Sequence, residues 1–318
     1  MTKVSSMEIK NKKIIITGGS GFLGRHLVSK LIELGIPKNN IFVPMSKDYD
    51  LRNSVDIERM FKNFKADIVI HLATHSGGVQ YYKTKPATIF YDNLIMGIQL
   101  LEISRKYDVK KFVFIGTGLI YPKDATIPLK ESSIWHGYPE ETAACYGLAS
   151  RAHLAQSQFY RKEHGFNSIY IILPNLYGPG DHFNTDRAHV IPSLIMRFNE
   201  AIKNKKEGIE FWGSGKAYRE FLYVEDAVLA IIEATKSYNQ HDPINIGPGS
   251  YIQIKFLAET IGKIMGYKGL IKRDESKPEG QLKRCFDTSQ MQLKLNFRPS
   301  VKIEEGLKKT IKWFKENE

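Results

Sequence analysis

The sequence predicts an α/β protein built on a doubly wound parallel sheet, with a smaller lobe in its carboxyl-terminal part. Three observations lead there. A β-branched run, Lys13-Ile14-Ile15-Ile16-Thr17, feeds directly into the glycine-rich turn Gly18-Gly19-Ser20-Gly21-Phe22-Leu23-Gly24, and apolar residues at helical spacing follow from Arg25 to Leu34 before a stop at Gly35. The alternation then repeats, with strands at Asn40 to Val43, Asp67 to Leu72, Lys111 to Ile115 and Ser168 to Leu173, and helices at Ser54 to Phe64, Ala87 to Tyr107 and Glu141 to His164. Strands separated by helices pair in parallel, because a parallel neighbour needs a crossover connection. After Leu173 the pattern loosens into the turn formers Pro174 to Asp181, a helix, a short segment at Glu210-Phe211-Trp212, a return to strand near Arg219 to Val224, and Asn245-Ile246-Gly247. Residues 10–175, with returns near 217–248, therefore read as a Rossmann-type cofactor-binding domain, and 176–216 with 249–318 mainly as a substrate-binding lobe.

Composition narrows the function. The 318 residues are 42% apolar and 25% charged, an ordinary soluble balance. No run approaches the roughly 20 apolar residues of a membrane span. Met1 to Lys13 has no apolar core of a secretory signal, so a cytoplasmic location is expected. Cys145 and Cys285 are too few for a disulfide framework or a zinc site, and no metal is expected. The net charge of +12 comes from dispersed lysines without a nucleic-acid motif, so it reads as a solvated surface whose field favours an anionic small molecule.

The glycine turn carries the first chemistry. Gly18 allows the tight turn, Gly21 lets the backbone approach a pyrophosphate, and Gly24 permits the helix to pack closely on the strand, with Ser20, Phe22 and Leu23 completing the cradle. A dinucleotide enzyme that prefers NAD ends its second strand with an acid to hold the ribose hydroxyls. Here that region reads Phe42-Val43-Pro44-Met45-Ser46-Lys47. Ser46 and Lys47 suit the 2′-phosphate of NADP, or else form a solvated loop. Asp50 and Leu51 fall where the adenine would lie, and Ala73 and Thr74, after the strand at 67–72, skirt the cofactor.

With these residues stand Thr117-Gly118-Leu119-Ile120-Tyr121-Pro122, Tyr146-Gly147-Leu148-Ala149-Ser150, Gly77-Gly78, Tyr91-Asp92-Asn93, Asn175-Leu176-Tyr177-Gly178-Pro179, His189-Val190-Ile191-Pro192, Trp212-Gly213-Ser214-Gly215, Arg219-Glu220-Phe221 and Lys277-Pro278-Glu279-Gly280. Over nearly its whole length the chain resembles the extended short-chain dehydrogenases/reductases, and among them the GDP-L-fucose synthase family. That family inverts C3 and C5 of a 4-keto sugar nucleotide and then reduces C4 with NADPH. The resemblance implies Thr117 as the hydroxyl partner, Tyr146 as proton donor, His189 as an epimerisation acid/base, and Asn175, His189, Trp212, Arg219 and Lys283 around a nucleotide diphosphate sugar. It also implies a homodimer.

Two positions depart from that pattern. The family's lysine, four residues after the tyrosine, is Ser150, and its cysteine, two after Thr117, is Leu119. An ammonium beside a tyrosine stabilises the phenolate by about 1.4 kcal/mol per pKa unit lowered; a serine at i+4 shares the face and can reach the ribose, but brings no charge. Arg151 lies about 100° further round the helix, so it either curls back to supply the charge or is a solvated surface residue. Leucine moves no proton, so His189 stands without its partner, with His75 the nearest substitute and Cys145 a packing residue. The expectations are an NADP-dependent enzyme acting at C4, with or without epimerisation and in either redox direction, or a weakly catalytic homologue that binds the sugar nucleotide as a partner subunit.

Overall fold

The computed structural model describes residues 7–183, 188–212, 215–274 and 282–318. The first half runs β1 (Ile14–Thr17), α1 (Phe22–Glu33), β2 (Ile41–Phe42), α2 (Ser54–Asn63), β3 (Ile68–His71), α3 (Val79–Thr84), α4 (Pro86–Lys106), β4 (Lys111–Thr117), α5 (Ala144–His164) and β5 (Ser168–Leu173). The second half adds β6 (Asn175–Tyr177), α6 (Val190–Lys203), β7 (Gly208–Trp212), β8 (Tyr218–Arg219), β9 (Phe221–Tyr223), α7 (Val224–Ser237), β10 (Ile244–Asn245), β11 (Ile252–Gln253), α8 (Ile254–Met265), β12 (Leu270–Asp274), α9 (Ser289–Leu295) and α10 (Ile303–Asn317).

Six strands form one parallel sheet in the order β10-β5-β4-β3-β1-β2. Side chains alternate across it with the period of two that strands impose. Ile14 and Ile16 face α1 and α7 in one buried cluster, while Ile15, Val69, Phe112, Phe114 and Tyr170 face α2, α4 and α5 in another. β1 is paired with β2 on one side and β3 on the other. The chain order reverses there, which opens a crevice beyond the carboxyl ends of the strands.

A third cluster sits apart from these two. It gathers α6, α8 and α10 with Ile209 of β7, Phe221 and Tyr223 of β9, and Tyr177. β7 pairs in parallel with β12, and β8 antiparallel with β11. β10 returns to the main sheet beside β5. Among the described residues, no helix is long and apolar enough to cross a membrane.

Two elements differ from the sequence reading. Residues expected to lie in a turn-rich loop include β6, which pairs in parallel with β9 across Asn175↔Phe221 and Tyr177↔Tyr223. Before α4 stands the separate six-residue helix α3. Pro86 at the first position of α4 divides them, since proline begins a helix readily and cannot continue one.

Candidate active site

The glycine turn is built as its chemistry requires. Gly18 has φ +69°, and a Cβ there would lie 2.7 Å from the Ala73 nitrogen. At Gly24 a Cβ would lie 2.3 Å from the Gly18 oxygen, so helix and turn could not approach. Gly21, the N-cap of α1, would meet only the Gly18 oxygen, at 3.2 Å. Its outer side is open, and among the described residues no side chain caps the first amides of α1, which suits them to an anion. Thr17 is buried beneath the turn, where its hydroxyl bonds His71 Nδ1 at 2.7 Å; burial drives the His71 pKa down to about 3, so this imidazole stays neutral.

The other predicted cofactor contacts gather around this turn. A Cβ on Gly19 would lie 2.7 Å from Val43, which puts the exit of β2 alongside, and the exposed Ser46 and Lys47 follow directly. The Ala73 amide donates to Thr17 Oγ1 at 3.4 Å, and Thr74 Oγ1 donates to Asn93 Oδ1 at 2.9 Å. Leu51 is buried. The Asp50 carboxylate is engaged by Arg52, which holds its pKa below the usual carboxylate range. Two anchors of the site went unread in the sequence. Arg25 of α1 donates to the Gly180 carbonyl at 2.9 Å, and the His26 ring donates to the Pro179 carbonyl at 2.8 Å, so the first helix holds the loop after β6.

The start of α5 and the turn after Thr117 meet through a glycine. Thr117 ends β4 and caps a short 3₁₀ turn, its hydroxyl accepting from the Leu119 amide at 3.3 Å. A Cβ on Gly147 would lie 2.4 Å from the Leu119 carbonyl, so only glycine lets the start of α5 reach this turn and bring Tyr146 beside it. The phenol stacks on Tyr82 at 6.2 Å. Burial raises its pKa, and the Thr74 hydroxyl opposes that shift only in part. Leu119 and Cys145 pack with Tyr81 and Tyr146 around Tyr82, Ile89 and Ala143, and burial also raises the Cys145 thiol.

Arg151 departs from both of its expected roles, and Ser150 beside it is buried. Ser150 is 2% exposed, and its carbonyl accepts from the Tyr170 phenol at 3.0 Å. Arg151 is neither a solvated residue nor a replacement for the lysine: it is 8% exposed, and it donates to the Ile120 carbonyl at 2.8 Å and the Gly137 carbonyl at 2.7 Å. The loop from residue 118 to 139 folds over it, which no helical-wheel argument registers.

The substrate side is less uniform. His189 caps α6 with much of its surface exposed; protein around its ring, together with His182, lowers its pKa. Its neighbour Ala188 places a carbonyl 3.8 Å from where a Gly78 Cβ would be. Asn175 donates to the Glu220 carbonyl at 3.2 Å. The Trp212 backbone ends β7, while its side chain and the segments 213–214 and 275–281 lie outside the described residues. Arg219 Nη1 donates to the Tyr218 carbonyl at 2.8 Å. Lys283 is exposed, its ammonium 5.3 Å over the Tyr218 ring. The next residue is half-buried. Arg284 lies against Gly118 beside Phe286, and burial followed by the charge of Arg219 lowers its pKa to about 10. The sequence signal for it was slight: Arg284 stands two before Phe286, and both face Gly118. Among the described residues, no group of three or more His, Cys, Asp or Glu could hold a metal ion.

Comparison with known proteins agrees with this fold. Residues 14–247 match the model of the NAD dependent epimerase/dehydratase family. A probable GDP-L-fucose synthase 1 of Oryza sativa subsp. japonica is 35% identical over 309 residues, covering 97% of this chain and 93% of that protein. A GDP-6-OMe-4-keto-L-xylo-heptose reductase from C. jejuni superposes with a TM-score of 0.91 at 27% identity, over 98% of this chain and all of that one (100%). A GDP-mannoheptose C4 reductase from Campylobacter jejuni, solved with NADP bound, gives 0.86 at 29% identity, over 97% of this chain and 99% of that one. The chain belongs to the NAD dependent epimerase/dehydratase family and is a homologue of the GDP-L-fucose synthases.

Proposed function

We propose that the chain uses NADPH to reduce the C4 carbonyl of a GDP-linked 4-keto sugar. The observation that carries this reading is the approach of Tyr146 to the Thr117–Leu119 turn across Gly147, at the mouth of a glycine cradle that accepts a dinucleotide. NADP fits the residues present: Gly18, Gly21 and the uncapped start of α1 receive the pyrophosphate, and Ser46 and Lys47 receive the 2′-phosphate. Bound there, the reduced nicotinamide supplies the hydride. Thr117 donates a hydrogen bond to the C4 oxygen, and Tyr146 donates the proton that completes the alcohol. Arg219 and Arg284 offer guanidinium groups to the diphosphate, with Asn175, His189, Trp212 and Lys283 on the surrounding wall.

Residues 10–175 and the return at 217–248 then serve the cofactor, and 176–216 with 249–318 serve the sugar nucleotide. A cytoplasmic homodimer is part of the same proposal. It is supported by Tyr91 of α4 and Phe159 of α5, aromatic side chains exposed at 59% and 65% on the two helices that pack together; sedimentation checks it. A second reading, a weakly catalytic partner subunit, is favoured by Ser150 and Leu119. NADPH oxidation in the presence of GDP-4-keto-6-deoxymannose separates the two, and Tyr146→Phe should lower the rate by roughly 10²–10⁴-fold. Turnover undiminished in Tyr146→Phe would refute the assignment of the proton donor.

A further inference from the structure

Beyond β3 the chain builds an acid/base constellation that the C4 reduction does not use. His75 Nδ1 is 2.8 Å from Asp92 Oδ2, and its Nε2 is 2.5 Å from the Tyr81 hydroxyl. The carboxylate can only accept, so Nδ1 carries the hydrogen, Nε2 accepts, and Tyr81 O–H donates to it. The loop is held for this geometry. Asn93, 3% exposed, accepts from the His75 amide at 2.8 Å and donates to the His75 carbonyl at 2.8 Å, while Arg52 steadies Asp92 from the far side at 3.3 Å. Gly77 lets the Tyr81 ring fold back on the loop, since a Cβ there would lie 2.9 Å from it.

The position matters as much as the pairing. Tyr81 shares one packed cluster with Leu119 and Tyr146. Leu119 is where the family's proton-moving cysteine would stand, and Tyr146 marks the reacting carbonyl. The adjoining Gly78 is the residue that the His189 segment approaches, through Ala188. Lys85 lies 5.6 Å from the Tyr81 ring centroid, a cation that favours negative charge developing on the phenol.

We infer that Tyr81, relayed through His75 to Asp92, is the acid/base group that exchanges the proton on C3 or C5 of the sugar, beside the C4 carbonyl, the role that Leu119 cannot fill. The inference rests on the reading of the substrate as a GDP-linked 4-keto sugar. In the forward step the Tyr81 proton passes to His75 Nε2, giving an imidazolium paired with Asp92. The phenolate oxygen takes the proton of the carbon next to C4, that C–H bond breaks, and its electron pair moves to the C4 oxygen as an enolate bonded by Thr117 and Tyr146. A proton returned from Tyr81, which takes its own back from His75, restores the original centre; one returned instead from the imidazolium form of His189 inverts it, leaving His189 neutral and His75 protonated until each exchanges its proton with solvent. Nothing is oxidised or reduced.

The test is incubation of the full chain with GDP-4-keto-6-deoxymannose in deuterated water, without and with NADPH, following deuterium at C3 and C5 by mass spectrometry and C4 reduction by NADPH consumption. The wild type should incorporate deuterium, and Tyr81→Phe should slow incorporation by roughly 10²–10⁴-fold. His75→Gln should do the same. A variant with a damaged fold loses exchange and reduction together, so the ratio of the two rates is the readout, and it should fall at least tenfold in both variants. Reduction without exchange in the wild type overturns the inference and leaves the C4 reductase standing, as does exchange that persists in both variants. Exchange without reduction upholds the inference and removes the reductase reading. Neither exchange nor reduction overturns both.

Discussion

Ser150→Lys returns the family's ammonium to the helix face of Tyr146, and two opposed effects decide what it does. Residues four apart on a helix have Cβ atoms about 5–6 Å apart. A unit charge at about 5 Å from a phenolate, at the effective dielectric of about 20 that suits protein sites, stabilises it by about 3 kcal/mol, some two pKa units. Burial holds the Tyr146 phenol above its ordinary pKa. In the wild type, phenolate therefore forms only at alkaline pH, and C4 oxidation should climb as pH rises, whereas C4 reduction, which needs the protonated phenol, should not. A lysine should move that climb about two pH units lower and speed oxidation near neutrality by roughly 10–100-fold. Against this stands the space. Ser150 and Tyr170 are each 2% exposed, the Tyr170 phenol donates to the Ser150 carbonyl, and the Tyr170 ring is so close to β4 that a Cβ on Gly116 would lie 2.3 Å from it. Forcing a longer chain into such packing costs about 1–3 kcal/mol. Ser150→Lys alone should therefore unfold at lower urea and gain little rate, and Ser150→Lys with Tyr170→Ser should recover both, with a coupling of about 0.5–3 kcal/mol, as contacting residues show. Urea midpoints and single-turnover rates across pH measure the cycle. Full stability of Ser150→Lys would show that Tyr170 does not fill the lysine's place. A double variant whose oxidation still climbs at the wild-type pH would show that the missing charge is not what tunes the phenol.

Three further outcomes are expected. Lys47→Glu should weaken NADP by about tenfold, the worth of one charge-assisted contact, and NAD much less; fluorescence titration of both cofactors measures the difference, and equal losses would remove Lys47 from the 2′-phosphate. Arg284→Met should raise KM for the sugar nucleotide by about 10–100-fold with a smaller change in kcat, because two guanidinium groups, Arg284 and Arg219, close enough to repel suit a diphosphate; an unchanged KM refutes that role. Glu220 is 1% exposed and accepts from the amides of Gly249 and Phe286, and burial raises its pKa to about 7 from 4.5. Its folded pKa lies above the unfolded one, so its contribution is complete below about pH 4.5 and is lost as pH rises through 7, by up to about 3 kcal/mol. Unfolding measured against pH should show this fall in the wild type and a flatter profile in Glu220→Gln; identical slopes would show that Glu220 does not titrate in this range.

What the sequence revealed and what it withheld divide along one line, the distance between the residues that must cooperate. The glycine turn, the exit of β2 and the Tyr146-Gly147 pair are local patterns. Their backbone demands, a positive φ at Gly18 and a helix pressed on a carbonyl at Gly147, are carried by the same few residues that display them. β6 exists only because β9 arrives 46 positions later to pair Asn175 with Phe221, and nothing within Asn175–Tyr177 signals that partner. Arg151 looked solvent-facing because a helical face was read without the loop that buries it, whose Ile120 and Gly137 carbonyls take its donors. Lys283 matches a pattern, yet Arg284 is the less exposed of the two, set against Gly118 from a distant part of the chain. The same limit explains the two departures from the family. Read alone, Ser150 and Leu119 are losses of a charge and of a proton carrier. In the folded chain each has a partner chosen by tertiary contact: Tyr170 bonds Ser150, and Tyr81 packs in one cluster with Leu119 while bonded to His75. A missing catalytic residue is thus informative only together with whatever occupies the space and the chemistry around it, and Tyr170 and Tyr81 are where substitutions will tell an adapted site from an impaired one.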